Sequence, residues 1–169
     1  IKDAHGLTIT TVVTKPRSRG YVRLRSADPS DMPLVSPHLL RDPADLASMI
    51  AGQRFFLRAF TAPPLAKRIA HVDIPSPSDL SDEALTTHCK RFVKTNYHPC
   101  GTARMGARND PMAVLDSRLE VRGVEGLRIC DLSAMPDISA GNTNAPALMM
   151  GSRCADFILD EDRFSKGSR

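Results

Sequence analysis

Residues 41–60 read RDPADLASMIAGQRFFLRAF, and their periodicity decides how the chain around them is organised. Asp42 stands at an N-cap position, Pro43 at the first helical residue and Asp45 three residues after the cap. A cap carboxylate satisfies free backbone N–H groups, and proline at the first helical position loses no hydrogen bond there. Leu46, Met49, Ile50, Gln53, Phe56, Leu57 and Phe60 then recur at helical spacing, which predicts an amphipathic helix with Gln53 as the polar member of its inner face. Upstream, Leu7–Val13 (LTITTVV) and Tyr21–Ser26 (YVRLRS) are β-branched or alternating and flank KPRSRG, which predicts two paired strands. Downstream, a proline-rich connection holds one helical turn at Leu65–Ala70. Ser81 then caps a helix with the stripe Leu85, His88, Cys89, Phe92 and Val93. A short strand is expected at LRIC, residues 127–130, and a last helix from about Ala145, with Asn144 as N-cap and Pro146 in its first turn. The fold class is α+β.

The 169 residues are 41% hydrophobic and 25% charged, the composition of a globular domain rather than a disordered tail. Aromatic residues make up 5% and tryptophan is absent, so the core is aliphatic. No apolar run reaches the roughly 20 residues a bilayer-spanning helix needs. The net charge is +4, but Lys and Arg are dispersed among acids, which disfavours nucleic acid as a partner. Cys89, Cys100, Cys130 and Cys154 form no C-x-x-C pair, so no metal site is expected. Free thiols suit a reducing, cytoplasmic setting. The chain begins at Ile1 and reads as the interior of a longer protein.

Several motifs are excluded. GTARMGAR places Gly101 and Gly106 at phosphate-loop spacing, but Ala107 and Arg108 stand where Lys and Ser/Thr are required. G-x-S-x-G, H-E-x-x-H and G-x-G-x-x-G are absent from the sequence. What remains is NYHPCGT, where Pro99 drives His98 toward extended backbone and Gly101 permits a sharp turn. Such a platform projects an imidazole, for catalysis or for a structural hydrogen bond. His88, on a helical stripe, reads as a core residue. Asn142 and Asn144 flank Thr143 ahead of the last helix, whose N-terminus suits a cap and equally an anionic group.

The stretches SRGYVRLRSADPSDMPLVSPHLLRDPADL, NYHPCGTARMG and DPMAVLDSRLEVRGVEGLRICDLSAMPDISAGNTNAPALMMGSRCADFI, in this order, resemble the C-terminal part of the glucose-methanol-choline (GMC) flavin oxidoreductases. The resemblance is to the choline dehydrogenase-like and alcohol dehydrogenase-like branch. It implies a substrate-binding domain of mainly antiparallel sheet flanked by helices over residues 1–126. Residues 127–160 would then complete the FAD-binding domain, with a polar tail over 161–169. It implies His98 and Asn144 as the catalytic pair. Asp131 would lie near the ribityl and diphosphate part of FAD, and Asn142, Ala145 and Pro146 beside its ring. The implied partners are a small alcohol and the N-terminal FAD-binding portion of the same protein, because the nucleotide fingerprint is not in this sequence. Ser117, Arg122 and Asp137 depart from residues frequent in the family. A flavin-dependent lyase and a non-catalytic interaction module are the alternatives.

Overall fold

The computed structural model describes residues 5–76 and 78–166, with side chains described as far as Asp160. The chain divides into two compact units, Ile1–Lys94 and Thr95–Arg169.

In the first unit, strands β1 (Tyr21–Arg23) and β2 (Leu34–Ser36) pair antiparallel, with Val22 opposite Val35. Gly20 lets this pair close, since a Cβ there would stand 2.1 Å from the Ser36 carbonyl oxygen. Helix α1 (Pro43–Thr61) begins as its sequence dictates, with the Asp42 carboxylate accepting from the Ala44 N–H at 2.8 Å. Helix α2 (Asp82–Phe92) begins with Ser81 accepting from the Ala84 N–H. Their facing stripes bury Ile50, Leu57, Leu85 and Cys89, against which Leu40, Leu46, Met49, Phe60 and Val72 pack. The expected turn at Leu65 is a short 3-10 helix, Leu65–Arg68.

Two sequence expectations fail here. Residues 7–13 form no strand with β1, and Thr11 among them bonds to α1 instead. Thr11 donates to the Met49 sulfur and accepts from Gln53, and its methyl lies 2.8 Å from where a Cβ on Gly52 would be. This also explains the one polar residue on the inner face of α1. The sheet is correspondingly small: among the described residues it has two strands of three residues each, not the dominant sheet expected.

Asp45 also departs from the capping pattern. Its carboxylate accepts from the backbone N–H groups of Arg17 and Ser18, both at 2.8 Å, and from the Ser18 hydroxyl, while that hydroxyl accepts from the Asp42 N–H. Ser18 thus bridges the two acids and ties the β1 approach to the start of α1. Burial pushes the Asp45 carboxyl upward, but the hydrogen bonds from Arg17 and Ser18 outweigh it and leave it below the usual carboxylate range. Replacing Asp45 with Ala leaves these donors without their charged acceptor and is expected to cost roughly 2–4 kcal/mol, measured by denaturant unfolding. A depressed folded-state value means this stabilisation is present above the ordinary carboxylate pKa of about 4 and disappears as pH falls through the lower folded value. The stability difference between wild type and Asp45→Ala should therefore shrink in acid.

The second unit is organised around Leu115, which is fully buried and bridges both Met105 and Val121. The Asp116 carboxylate accepts from the N–H groups of Arg118 and Glu120 and closes the turn that follows. Where a strand was expected at 127–130, the structure has one bridge, Glu120 with Arg128, with hydrogen bonds from Val121 to Leu127 and from Ile129 to Leu119 on either side. The pairing is too short to become a strand. Arg122 donates to the Gly106 and Arg108 carbonyls and pins that loop. Helix α3 (Asn144–Lys166) adds Met150 and Cys154 to a core of Leu115, Leu119 and Ala134. The tail expected from residue 161 is helical as far as Lys166, and residues 167–169 lie outside the described residues. No described helix is long and apolar enough to cross a membrane.

Candidate active site

Three segments of the second unit are tied together at and just after His98. The first is the loop that carries it. Tyr97 has a φ of 62° and Gly101 a φ of 85°, so the backbone reverses on both sides of the His98–Pro99 step. At Gly101 only glycine combines that conformation with the space available, since an added Cβ would meet the Met135 carbonyl oxygen at 3.3 Å.

The second segment is the turn after residue 130. Asp131 caps a short 3-10 helix, Leu132–Ala134, by accepting from the Ser133 N–H at 2.7 Å. Hydrogen bonds from the side chain and backbone of Ser133 hold the exposed Asp131 carboxyl below its usual range. This turn is laced to the His98 loop. Gly101 N–H donates to Leu132, Ala103 to Ser133 and Met105 to Ala134, at 3.2, 3.0 and 2.8 Å. Because Ala134 is fully buried in the Leu115 core, the lacing fixes the loop to the centre of the unit.

The third segment is the start of α3. The helix begins at Asn144, one residue earlier than expected, so Thr143 rather than Asn144 takes the cap position and its carbonyl accepts from the Ala147 N–H. Thr143 is 2% exposed. Its hydroxyl lies 2.8 Å from Nδ1 of His98. Sequence reasoning missed this contact, although a signal was available. Pro146, third in the helix, has no N–H, so a donor that a cap hydroxyl commonly takes is missing there.

The structure therefore joins His98, half-buried, to the N-terminus of α3 through the neighbour of Asn144. Asn142, Asn144 and Ala145 are exposed there and Pro146 is half-buried. Asp131 is linked through the backbone lacing rather than through a contact with His98. The first turn of α3 has no acidic residue, so its positive dipole end is not neutralised from within. A surface cavity of about 530 Å³ lies elsewhere, between Asp116 and residues 120–128. Of the other histidines, His88 packs on the Phe92 ring at 4.8 Å and burial lowers its pKa, in keeping with a structural role.

The chain is similar to known proteins along most of its length. The family described as GMC oxidoreductase matches residues 16–151. An alcohol dehydrogenase (acceptor) of Pseudomonas putida is 41% identical over 159 residues, covering 94% of this chain and 28% of the relative. A choline oxidase of Arthrobacter globiformis is 42% identical, covering 91% of this chain and 29% of its own length. The solved structure of a formate oxidase from Aspergillus oryzae RIB40, described in terms of its FAD modification, superimposes with a TM-score of 0.81 at 28% identity over 94% of this chain and 29% of that one. The chain thus spans less than a third of the length of each of these relatives.

Proposed function

The chain belongs to the GMC oxidoreductase family, and on that premise we propose that it is the C-terminal part of an FAD-dependent oxidoreductase acting on the CH–OH group of a small alcohol. Its partner is the N-terminal FAD-binding portion of the same protein. Residues 1–126 serve the substrate and residues 127–160 complete the cofactor domain. The observation that carries this reading is the His98–Thr143 contact, which sets a proton-accepting imidazole beside an uncharged helix start bearing two amides.

Whether these residues suit a flavin is answered by their chemistry. Asn142, Asn144 and Ala145, exposed and neutral at a positive helix end, suit an electron-rich ring that gains negative charge. The exposed Asp131 carboxylate suits hydroxyl donors of a ribityl chain. The 169 residues contain no glycine-rich fingerprint for the pyrophosphate, so the fit is to the ring and ribityl part alone.

His98 takes the hydroxyl proton of the alcohol, since a carbinol carbon releases hydride more readily as its O–H bond weakens. Asn144 donates its side-chain N–H to the developing alkoxide and orients it. The lacing of residues 101–105 to 132–134 keeps the base in register with the α3 terminus. FAD, when bound, supplies the hydride acceptor.

Flavin content tests the division of labour. The isolated chain is expected to purify colourless and to oxidise no alcohol, and the full-length protein to carry FAD. Stoichiometric FAD on the isolated chain would overturn the division, and a full-length protein unable to bind flavin would overturn the reading itself.

A further inference from the structure

We infer that Thr143 is a positioning residue that sets the tautomer of His98, accepting Nδ1–H on its hydroxyl oxygen and so leaving the lone pair on Nε2. The inference rests on the proposed role of His98 as base. A neutral imidazole carries one N–H and one lone pair, so whatever occupies Nδ1 decides the state of Nε2. In this structure Thr143 occupies Nδ1 at 2.8 Å. A base working through Nε2 requires the proton on Nδ1, and a hydroxyl oxygen, with two lone pairs, accepts it.

The fold prepares Thr143 for this task in three ways. The residue is 2% exposed, so bulk water does not compete for its hydroxyl. Its backbone is fixed by the bond from Ala147 N–H to its carbonyl at 3.0 Å, and its β-branched side chain has few χ1 choices. Pro146 removes an N–H that would otherwise draw the hydroxyl into capping α3. On the other side of the contact, Pro99 and the lacing of Gly101 to Leu132 restrict the loop that presents the ring.

The test is ¹⁵N NMR of the full-length flavoprotein labelled at the histidine rings, with His98 identified by its loss in His98→Ala. At a pH where the ring is neutral, the wild type is expected to show a protonated Nδ1 and an unprotonated Nε2. Thr143→Val, which keeps the shape and loses the oxygen, should shift the population toward protonated Nε2, and Thr143→Ser should restore the wild-type pattern. Flavin reduction by alcohol should slow about five- to ten-fold in Thr143→Val, the scale of one hydrogen bond, and recover in Thr143→Ser. A wild-type ring protonated on Nε2 would overturn the inference even if Thr143→Val fails to fold. So would an unchanged tautomer in Thr143→Val. The two readings fail separately: an unimpaired His98→Ala enzyme refutes the base, whereas an impaired one with Nε2 protonated in wild type refutes only the role of Thr143.

Discussion

In the full-length enzyme, His98→Ala is expected to slow flavin reduction by roughly 100- to 10,000-fold, the range contributed by a positioned general base. The apparent affinity for the alcohol should change far less, because one ground-state hydrogen bond contributes only about 1 kcal/mol. This asymmetry follows from the position of the ring. His98 is half-buried on a loop laced to the Leu115 core, and its described side-chain bond is the one to Thr143. Truncating it removes a proton acceptor without opening the core, so the variant should keep its fold and its flavin. Stopped-flow mixing with alcohol in the absence of oxygen measures the rate and the affinity together. If reduction persisted at the wild-type rate, the imidazole would be a structural bonder of Thr143 and nothing more.

The second large effect is expected at Asn144, where the structure separates stability from chemistry more cleanly than the sequence does. Thr143 holds the cap position and Asn144 is the first residue of α3, exposed at its positive end. Asn144→Asp therefore leaves the cap residue in place and adds a carboxylate that suits the helix dipole, so the melting temperature should hold or rise slightly. The same change replaces an amide donor with an anion where the alkoxide develops. Loss of one such donor costs about 100- to 1,000-fold in rate, and the added negative charge works in the same direction. Asn144→Ala loses the donor without adding charge, so its rate should fall between wild type and Asn144→Asp. Equal rates for wild type and Asn144→Asp, at equal flavin content, would remove Asn144 from the catalytic pair.

The starts of α1 and α2 were legible in the sequence because they are local. Asp42 with Pro43, and Ser81, needed only their immediate neighbours to act as caps, and both do so. The apolar stripes of α1 and α2 were legible for the same reason, and Leu57, Leu85 and Cys89 are buried as the periodicity predicts, whereas Phe92, at the end of the α2 stripe, is 47% exposed. The strands were less so. LTITTVV has the composition of a strand, but its partner is α1, and no local pattern announces that Thr11 will sit against Gly52 and Gln53. The true partner of β1 is three residues long, and a run that short leaves no periodicity to detect.

The site divides along the same line. His98 stood out through Pro99 and Gly101, whose backbone restrictions act within a few residues, and the positive φ at Gly101 bears this out. Thr143 did not, because its hydroxyl has two competing uses, capping α3 and bonding His98, and the second lies 45 residues away in sequence. The roles given to Asp131, Asn142, Ala145 and Pro146 came from family resemblance. The structure places Asp131 on a turn hydrogen-bonded to the His98 loop and the other three around the first turn of α3.

The central claim is that this chain supplies the alcohol-activating side of a flavin site. Its most direct test is an anaerobic titration of the full-length protein with a series of small primary alcohols, followed by the visible absorbance of the flavin. The account predicts that at least one alcohol bleaches the flavin stoichiometrically, with formation of the corresponding aldehyde. A correctly folded, FAD-loaded protein whose flavin no alcohol reduces would contradict it.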